Sequence, residues 1–193
     1  IDSRDLELQT GPFGTQLPAS AYVEEGTPVI NVRNIGYAEL VEEKLEFVPE
    51  EVTRRLSQHI IRANDIVFGR KGAVDRHLYV NLEADGWMQG GDCIRLRSLT
   101  DKVNMRYLSY SFLSEYHRKW MLNQGGNKAT MAALNHDVIR RIQVELPKRD
   151  VQDEIATILS SYDELIENNR KRIKLLERAA RLLYTEWFVR GRF

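Results

Sequence analysis

A heptad repeat near the end of the chain constrains the fold more than any other feature of the sequence. From Asp150 to Phe188 there is no glycine and no proline, and apolar side chains recur in alternating steps of four and three residues for more than four heptads. Such a sustained repeat predicts a coiled-coil helix. The residues at its core positions, which also form the predicted dimer contact, are Ile155, Leu159, Tyr162, Ile166, Asn169, Ile173, Leu176, Ala180, Leu183 and Trp187.

The predicted helix requires a second helix to cover its apolar face. At about 1.5 Å per residue it extends roughly 57 Å, a length that a compact domain of the 149 preceding residues cannot bury end to end. Asp150 is a suitable N-cap, and the acidic Asp153 and Glu154 follow in the first turn, where the helix dipole favours anions. Asn169 is the polar exception in the repeat, and such a residue fixes helix register and helix number.

The residues before the repeat predict a mixed α/β domain. We therefore assign the chain to the α+β class, with a mixed α/β domain at 1–149 and a long C-terminal helix at 150–193 that pairs as a coiled coil. Runs of β-branched and apolar residues predict strands at 28–32, 65–69, 77–80, 93–97 and 142–146.

Helical signals in the first domain are more local. Pro49 and the two acids after it predict a short helix, and Asn135 is suited to cap a one-turn helix that ends at Arg140. Aromatic residues at helical spacing predict one helix over 104–123. The segment 93–97 alternates apolar with basic side chains, which is typical of a half-buried edge strand.

Charge is distributed unevenly along the chain, although 28 basic and 28 acidic residues give no net charge. Residues 1–53 carry 3 basic and 11 acidic side chains, a net charge of −8, whereas residues 54–149 carry 17 basic and 9 acidic, a net charge of +8. An excess of this size favours a polyanionic partner. A solvated surface with patchy charge explains it equally well.

The sequence contains none of the common catalytic motifs that we sought. There is no Gly-x-Gly-x-x-Gly, no Walker phosphate loop and no Gly-x-Ser-x-Gly, and the four histidines are scattered. We therefore expect no enzymatic activity and no metal or cofactor of the chain's own. Cys93 is the single cysteine, so it forms no internal disulfide, and a reducing cytoplasm suits it best. The sequence has no run of about 18 apolar residues, so it predicts no membrane-spanning helix.

Three polar loops carry side chains that suit nucleic acid. Arginine, lysine and asparagine can contact base edges, and the two cations also neutralise phosphates. One loop follows the strand at 28–32, a second lies between the strands at 65–69 and 77–80, and a third is the glycine-rich segment 125–130. The candidate DNA-binding residues in them are Arg33, Asn34, Arg70, Lys71, Arg76, His77, Asn127, Lys128 and Thr130.

The order of these signals resembles that of the specificity subunit of type I restriction–modification systems. The segments that carry the resemblance are Gln9–Leu17, Gly26–Ile35 and Asp65–Gly72. They are followed by Leu134, Asn135, Ile142, Leu146 and Pro147 at the end of the domain, and by Gln152, Ile155, Ala156, Ile158 and Leu159 at the start of the long helix. They occur in the family's order and cover most of the chain.

The resemblance implies a target recognition domain at 1–149 that reads double-stranded DNA, and a conserved spacer and dimerisation helix at 150–193. In that family the specificity subunit is not catalytic. Partner methyltransferase and restriction subunits methylate adenine and cleave DNA, so S-adenosylmethionine, ATP and magnesium are expected on those partners only.

The usual specificity subunit has two recognition domains and two helices that pair antiparallel, whereas this chain has one of each. It is therefore either a natural half-subunit that acts as a homodimer or a fragment of a longer protein. Two other interpretations stay open: a coiled-coil assembly protein without a DNA function, and the recognition fragment of a single-chain restriction–methylation enzyme.

Overall fold

The computed structural model describes residues 5–72, 74–124 and 133–193. Within them the strands are β1 (Leu6–Thr10), β2 (Thr27–Ile30), β3 (Glu46–Val48), β4 (Ile66–Gly69), β5 (His77–Tyr79), β6 (Met88–Gln89) and β7 (Cys93–Ser98). The α-helices are α1 (Glu50–Arg55), α2 (Met105–Phe112), α3 (Glu115–Gln124), α4 (His136–Arg140) and α5 (Arg149–Tyr184). The chain divides into two compact units, Ile1–Gln152 and Asp153–Phe193.

The first unit is built on two sheets. The larger has the strand order β1-β7-β4-β5, and all its neighbouring strands are antiparallel. The smaller has the order β3-β2-β6, in which β2 pairs antiparallel with β3 and parallel with β6. These sheets and the long helix confirm the predicted combination of a mixed α/β domain with a C-terminal helix.

Both faces of the larger sheet are covered by apolar side chains. One face packs against α2, α3 and α4, with Phe68 and Ile94 from the sheet meeting Leu108 and Phe112 from α2. The opposite face contributes Val67, which lies in a second cluster with other buried residues such as Ile30, Leu78 and Cys93. A third cluster fills the space between the smaller sheet and α1.

The prediction of an edge strand at 93–97 is wrong, because β7 lies between β1 and β4. Arg95 is only 2% exposed, and its guanidinium contacts the Glu7 carboxylate at 2.5 Å and the carbonyls of Gln58 and Ile60. The alternating basic residues Arg95 and Arg97 therefore pair with carboxylates of the same domain, Glu7 and Asp65.

Two further predictions need correction. The helix expected over 104–123 is two helices, α2 and α3, and the Ser114 hydroxyl accepts a hydrogen bond from the His117 amide at the start of the second. Residues 142–146 are extended and alternate in burial, but they form no strand, since side chains take their carbonyls: Tyr107 donates to Glu145 O, and the His117 ring bonds to Gln143 O.

The local helix signals are confirmed. The Asn135 side chain accepts a hydrogen bond of 2.8 Å from the Val138 amide and caps α4, which ends at Arg140 as predicted. The short helix after Pro49 is α1. The long helix α5 begins at Arg149, one residue before the cap predicted at Asp150, and it continues into a π-helical turn at Thr185–Val189.

Among the described residues, no helix is long and apolar enough to cross a membrane.

Candidate nucleic-acid interface

One end of the larger sheet gathers three loops that are far apart in sequence. Strands β1 and β4 end there, and β5 and β7 begin there, since Thr10 pairs with Ile94, Gly69 with Cys93 and Phe68 with His77. The segments 11–16, 70–76 and 90–92 therefore emerge side by side. We call these three segments the loop end of the sheet, and Ala73 in it lies outside the described residues.

Glycines allow two of the loops to touch. The Gly11 amide donates to Cys93 O at 2.9 Å, and a Cβ on Gly11 would lie 1.8 Å from Gly90 O. A Cβ on Gly91 would lie 2.6 Å from Pro12 O. No side chain fits at these contacts, so the backbone itself fixes segment 11–16 against segment 90–92.

The second loop begins with two cations that have different surroundings. The Lys71 ammonium pairs with the Asp92 carboxylate at 3.1 Å. The Arg70 guanidinium lies 4.8 Å from the centroid of the Phe13 ring, in a cation–π contact, and Phe13 is 50% exposed. The predicted candidates Arg70 and Lys71 are thus brought together at the loop end.

The same loop ends in a second cluster, around Tyr37. The guanidiniums of Arg76 and Arg118 lie 5.2 and 4.3 Å from the centroid of the Tyr37 ring. Arg118 also contacts the Asp75 carboxylate at 3.2 Å, and the Tyr37 hydroxyl donates to the same carboxylate at 3.1 Å. The Ala38 amide donates to His77 O at 2.8 Å, which joins this cluster to the start of β5.

Much of the positive charge predicted from the sequence is neutralised inside the domain. Arg95 pairs with Glu7, Arg97 with Asp65, and Lys102 with Asp5. Within the described ranges, neither Arg70 nor Arg76 pairs with a carboxylate. Both therefore keep their charge available to a ligand at the loop end.

Two predicted contacts are excluded by burial in this conformation. Asn34 is fully buried, and its side-chain amide donates to Val41 O and Glu43 O at 2.9 and 3.1 Å. His77 is also fully buried, with its Nε2 2.8 Å from the Ser109 hydroxyl, and burial lowers the pKa of its imidazole to about 4. His77 is thus neutral near pH 7 and has no cation to offer.

The remaining predicted residues fall in two groups. Arg33 lies in the turn after β2 and pairs with the Glu46 carboxylate at 2.7 Å. This ion pair partly neutralises its charge. Asn127, Lys128 and Thr130 lie outside the described residues. Ala133, shortly after them, forms a bridge with Lys71, so the described chain resumes beside the loop end.

Sequence reasoning missed the aromatic residues at this end and their partner Arg118. Arg118 lies 81 positions from Tyr37, and no local pattern connects them. Phe13 could have been found from the sequence, because an aromatic residue between Pro12 and Gly14 belongs to no periodic strand or helix and so indicates an aromatic ring in a loop.

The described residues offer no site for a metal or a thiol nucleophile. No group of three histidine, cysteine, aspartate or glutamate side chains among them could hold a metal ion. Cys93 is buried, its thiol contacts Ile30 O at 3.3 Å, and burial raises its pKa to about 12. A thiol with that pKa stays protonated near neutral pH.

The second unit presents an apolar face along α5. Ile166, Ile173, Leu176 and Leu183 are between 50% and 69% exposed, and Asn169 lies among them on the same face. Other core positions of the repeat, including Tyr162, Ala180 and Trp187, are also exposed, whereas Ile155 is half-buried. An exposed apolar face of this length is typical of an interaction surface.

Comparison with known proteins identifies the class of this domain. Residues 15–178 match the family model described as the type I restriction modification DNA specificity domain. The chain therefore belongs to this family.

Individual relatives support the same assignment. The MjaVIII specificity subunit of a type I restriction enzyme from Methanocaldococcus jannaschii is 24% identical over 181 residues, which cover 90% of this chain and 41% of the relative. The MjaIX specificity subunit from the same organism is 32% identical over 89 residues, 46% of this chain and 20% of the relative. The chain thus spans at most about two fifths of the length of these relatives.

Solved structures share the fold at low sequence identity. A type I restriction-modification S subunit from M. genitalium matches with a TM-score of 0.64 and 15% identity, over 93% of this chain and 42% of that one. The HsdS subunit from Thermoanaerobacter tengcongensis matches with a TM-score of 0.56 and 15% identity, over 82% of this chain and 41% of that one.

Proposed function

We propose that this chain recognises a sequence in double-stranded DNA as the specificity element of a type I restriction–modification system. The observation that carries the proposal is the loop end of the sheet, where Arg70 and Arg76 keep unneutralised charge beside the exposed rings of Phe13 and Tyr37. Cations supply phosphate contacts, and arginine also reads base edges in the major groove. In this proposal residues 1–149 are the target recognition domain.

The partners follow from family membership and are also part of the proposal. A methyltransferase subunit and a restriction subunit act where this chain binds, and they carry the S-adenosylmethionine, ATP and magnesium that their reactions need. The chain itself contributes sequence recognition and no catalytic group.

The helix at 150–193 serves as spacer and dimerisation element in the same proposal. Two copies pair antiparallel through the apolar face of α5, which brings two recognition domains into one assembly. Helix α5 extends about 54 Å, compared with about 34 Å per turn of DNA. Two-fold symmetry then predicts an inverted-repeat target whose half-sites lie more than one turn apart.

The test is the salt dependence of binding to a random-sequence DNA duplex, measured by fluorescence anisotropy. Several phosphate contacts require affinity to fall steeply as salt rises, because bound cations release counterions from the DNA. Replacing Arg70 and Arg76 with alanine is expected to weaken binding and to make the plot of log affinity against log salt shallower by roughly one unit per lost phosphate contact.

Arg62 provides a matched control. It is an exposed arginine that precedes β4, at the opposite end of that strand from Arg70. Arg62→Ala is expected to bind DNA like the unaltered chain. A flat salt response, or equal losses in the control and in the loop-end variant, contradicts the proposed interface.

A further inference from the structure

The side chain of Arg70 is supported differently from that of every other cation at the loop end. Its guanidinium lies 4.8 Å from the centroid of the Phe13 ring. Arg76 and Arg118 share one ring, that of Tyr37, and Lys71 pairs with Asp92. Arg70 therefore contacts an aromatic ring that no other arginine of this group shares, and it has no carboxylate partner among the described residues.

The backbone of Arg70 is held on both sides. Its amide donates to Asp92 O at 2.7 Å, and its carbonyl accepts from the Leu134 amide at 2.7 Å. Arg70 therefore loses little conformational entropy when it binds a ligand, because its main chain is fixed and its guanidinium is stacked on the Phe13 ring. A pre-organised arginine fork is suited to a directional contact rather than to diffuse neutralisation of phosphate.

The main chain of Phe13 is fixed as well, although its ring is half exposed. The Phe13 amide donates to the Gln16 side chain at 3.2 Å, and the Gln16 amide donates to Phe13 O at 2.8 Å. Gly14 follows with a φ of +45°, a backbone conformation that favours glycine. Together with the close contact of Gly11 and Gly90, this turn holds the ring beneath the guanidinium.

We propose, on the basis of the proposed function, that Arg70 reads a guanine in the DNA target and that Phe13 is its positioning residue. Guanine presents two adjacent acceptors, O6 and N7, in the major groove, and the arginine fork matches them with two hydrogen bonds. A guanidinium stacked on a ring keeps its N–H edge free for that contact. Lys71, which pairs with Asp92, then contributes no base preference.

The experiment measures base preference and salt dependence separately. Duplexes selected by the purified full-length chain from a randomised pool give its base profile, and anisotropy titrations give the salt slope. Arg70→Gln replaces the fork with an amide that matches adenine rather than guanine, so the guanine preference at one position is expected to fall by roughly 5- to 150-fold. Lys71→Gln introduces the same side chain at the neighbouring position and is the control, in which the guanine preference is expected to be retained.

Phe13 is tested with a conservative pair. Phe13→Ala removes the ring and is expected to weaken the guanine preference, whereas Phe13→Tyr keeps the ring and is expected to preserve it. Thermal unfolding of each variant establishes that the domain is intact. Phe13→Leu, which keeps an apolar side chain but has no ring, replaces the Ala variant in this comparison if that variant does not fold.

The outcomes separate this inference from the proposed function. A base profile that Arg70→Gln leaves unchanged, or a guanine preference lost in Lys71→Gln instead, overturns the assignment of Arg70 while DNA binding stands. Equal preference in the Ala and Tyr variants overturns the role of Phe13. No duplex binding by the unaltered chain overturns the proposed function and this inference with it.

Discussion

Arg97 and Asp65 form a two-point ion pair that joins β7 to the residue directly before β4. The Arg97 Nε donates to Asp65 Oδ1 at 2.8 Å, and its Nη2 donates to Oδ2 at 2.6 Å. Asp65 is 2% exposed, and its Oδ2 also accepts the Arg62 amide at 2.7 Å. The hydrogen bond with Asp65 raises the pKa of Arg97, so the guanidinium stays charged.

Asp65→Asn is expected to lower the free energy of unfolding by about 2–4 kcal/mol, because it leaves a partly buried guanidinium without its carboxylate. Urea denaturation at pH 7 measures the change. Glu50→Gln serves as the control, since Glu50 pairs with Arg54 on the exposed surface of α1 and its loss is expected to have little effect. Equal stability of the two variants contradicts the importance of the buried pair.

His77 makes the domain less stable in acid. Burial lowers the pKa of His77 from 6.5 to about 4, so between these values the unfolded chain binds a proton that the folded chain excludes. The contribution is complete above pH 6.5 and is lost as the pH falls towards 4, a total of about 3 kcal/mol. Burial also lowers the pKa of His59 and of His136, which act in the same direction.

The variant His77→Gln isolates this effect. Its stability relative to the unaltered chain is measured by urea denaturation at pH 7 and at pH 4.5. The stability difference between the two proteins is expected to shrink at the lower pH, because glutamine does not titrate. A difference that is the same at both pH values excludes His77 as a source of acid sensitivity.

Gly11→Ala is expected to unfold or distort the loop end. The new Cβ would lie 1.8 Å from Gly90 O, a contact with backbone that no rotamer relieves. We expect a loss of stability of about 1–3 kcal/mol or more together with weaker DNA binding.

Gly86→Ala is the matched variant for this prediction. Gly86 has a φ of +83°, but its Cβ would meet no atom within 4 Å, so it tests backbone strain without a clash. Thermal unfolding and duplex binding are measured for both. A Gly11 variant that binds DNA as well as the Gly86 variant shows that the contact does not shape the interface.

Leu176→Asp is expected to abolish self-association of the chain, because it places a charge in the exposed apolar face of α5, where Leu176 is 69% exposed. Arg178→Asp introduces the same side chain two residues away, outside the core positions, and is expected to leave association unchanged. Sedimentation equilibrium distinguishes the two. An unaltered chain that sediments at the mass of one copy contradicts the homodimer.

Features set by neighbouring residues were predictable from the sequence. The cap at Asn135 depends on an amide three residues later, and the helix after Pro49 depends on its own first turn. The heptads of α5 likewise repeat along one continuous element. In the first two cases both partners lie within a few residues, so the pattern contains the whole interaction, whereas the heptads predict the helix but not the partner that covers it.

Features that join distant parts of the chain were not predictable in this way. The alternation at 93–97 suggested an exposed edge because the sequence does not show that Glu7, 88 residues away, neutralises Arg95. The loop end was predicted in part, since Arg70, Lys71 and Arg76 lie in one loop. Phe13 and Tyr37 reach that loop only through the pairing of the sheet.

The close approach of Gly11 and Gly90 also bears on how such a protein changes over evolution. The strands that carry these loops, β1, β7 and β4, are joined by main-chain hydrogen bonds. Those bonds do not depend on the side chains of the loops. Mutations at Phe13, Arg70 or Arg76 therefore leave the ladder intact, provided the two glycines remain. Under the proposed function, new target preferences arise by exchange of a few surface residues on an inherited scaffold, without a new fold.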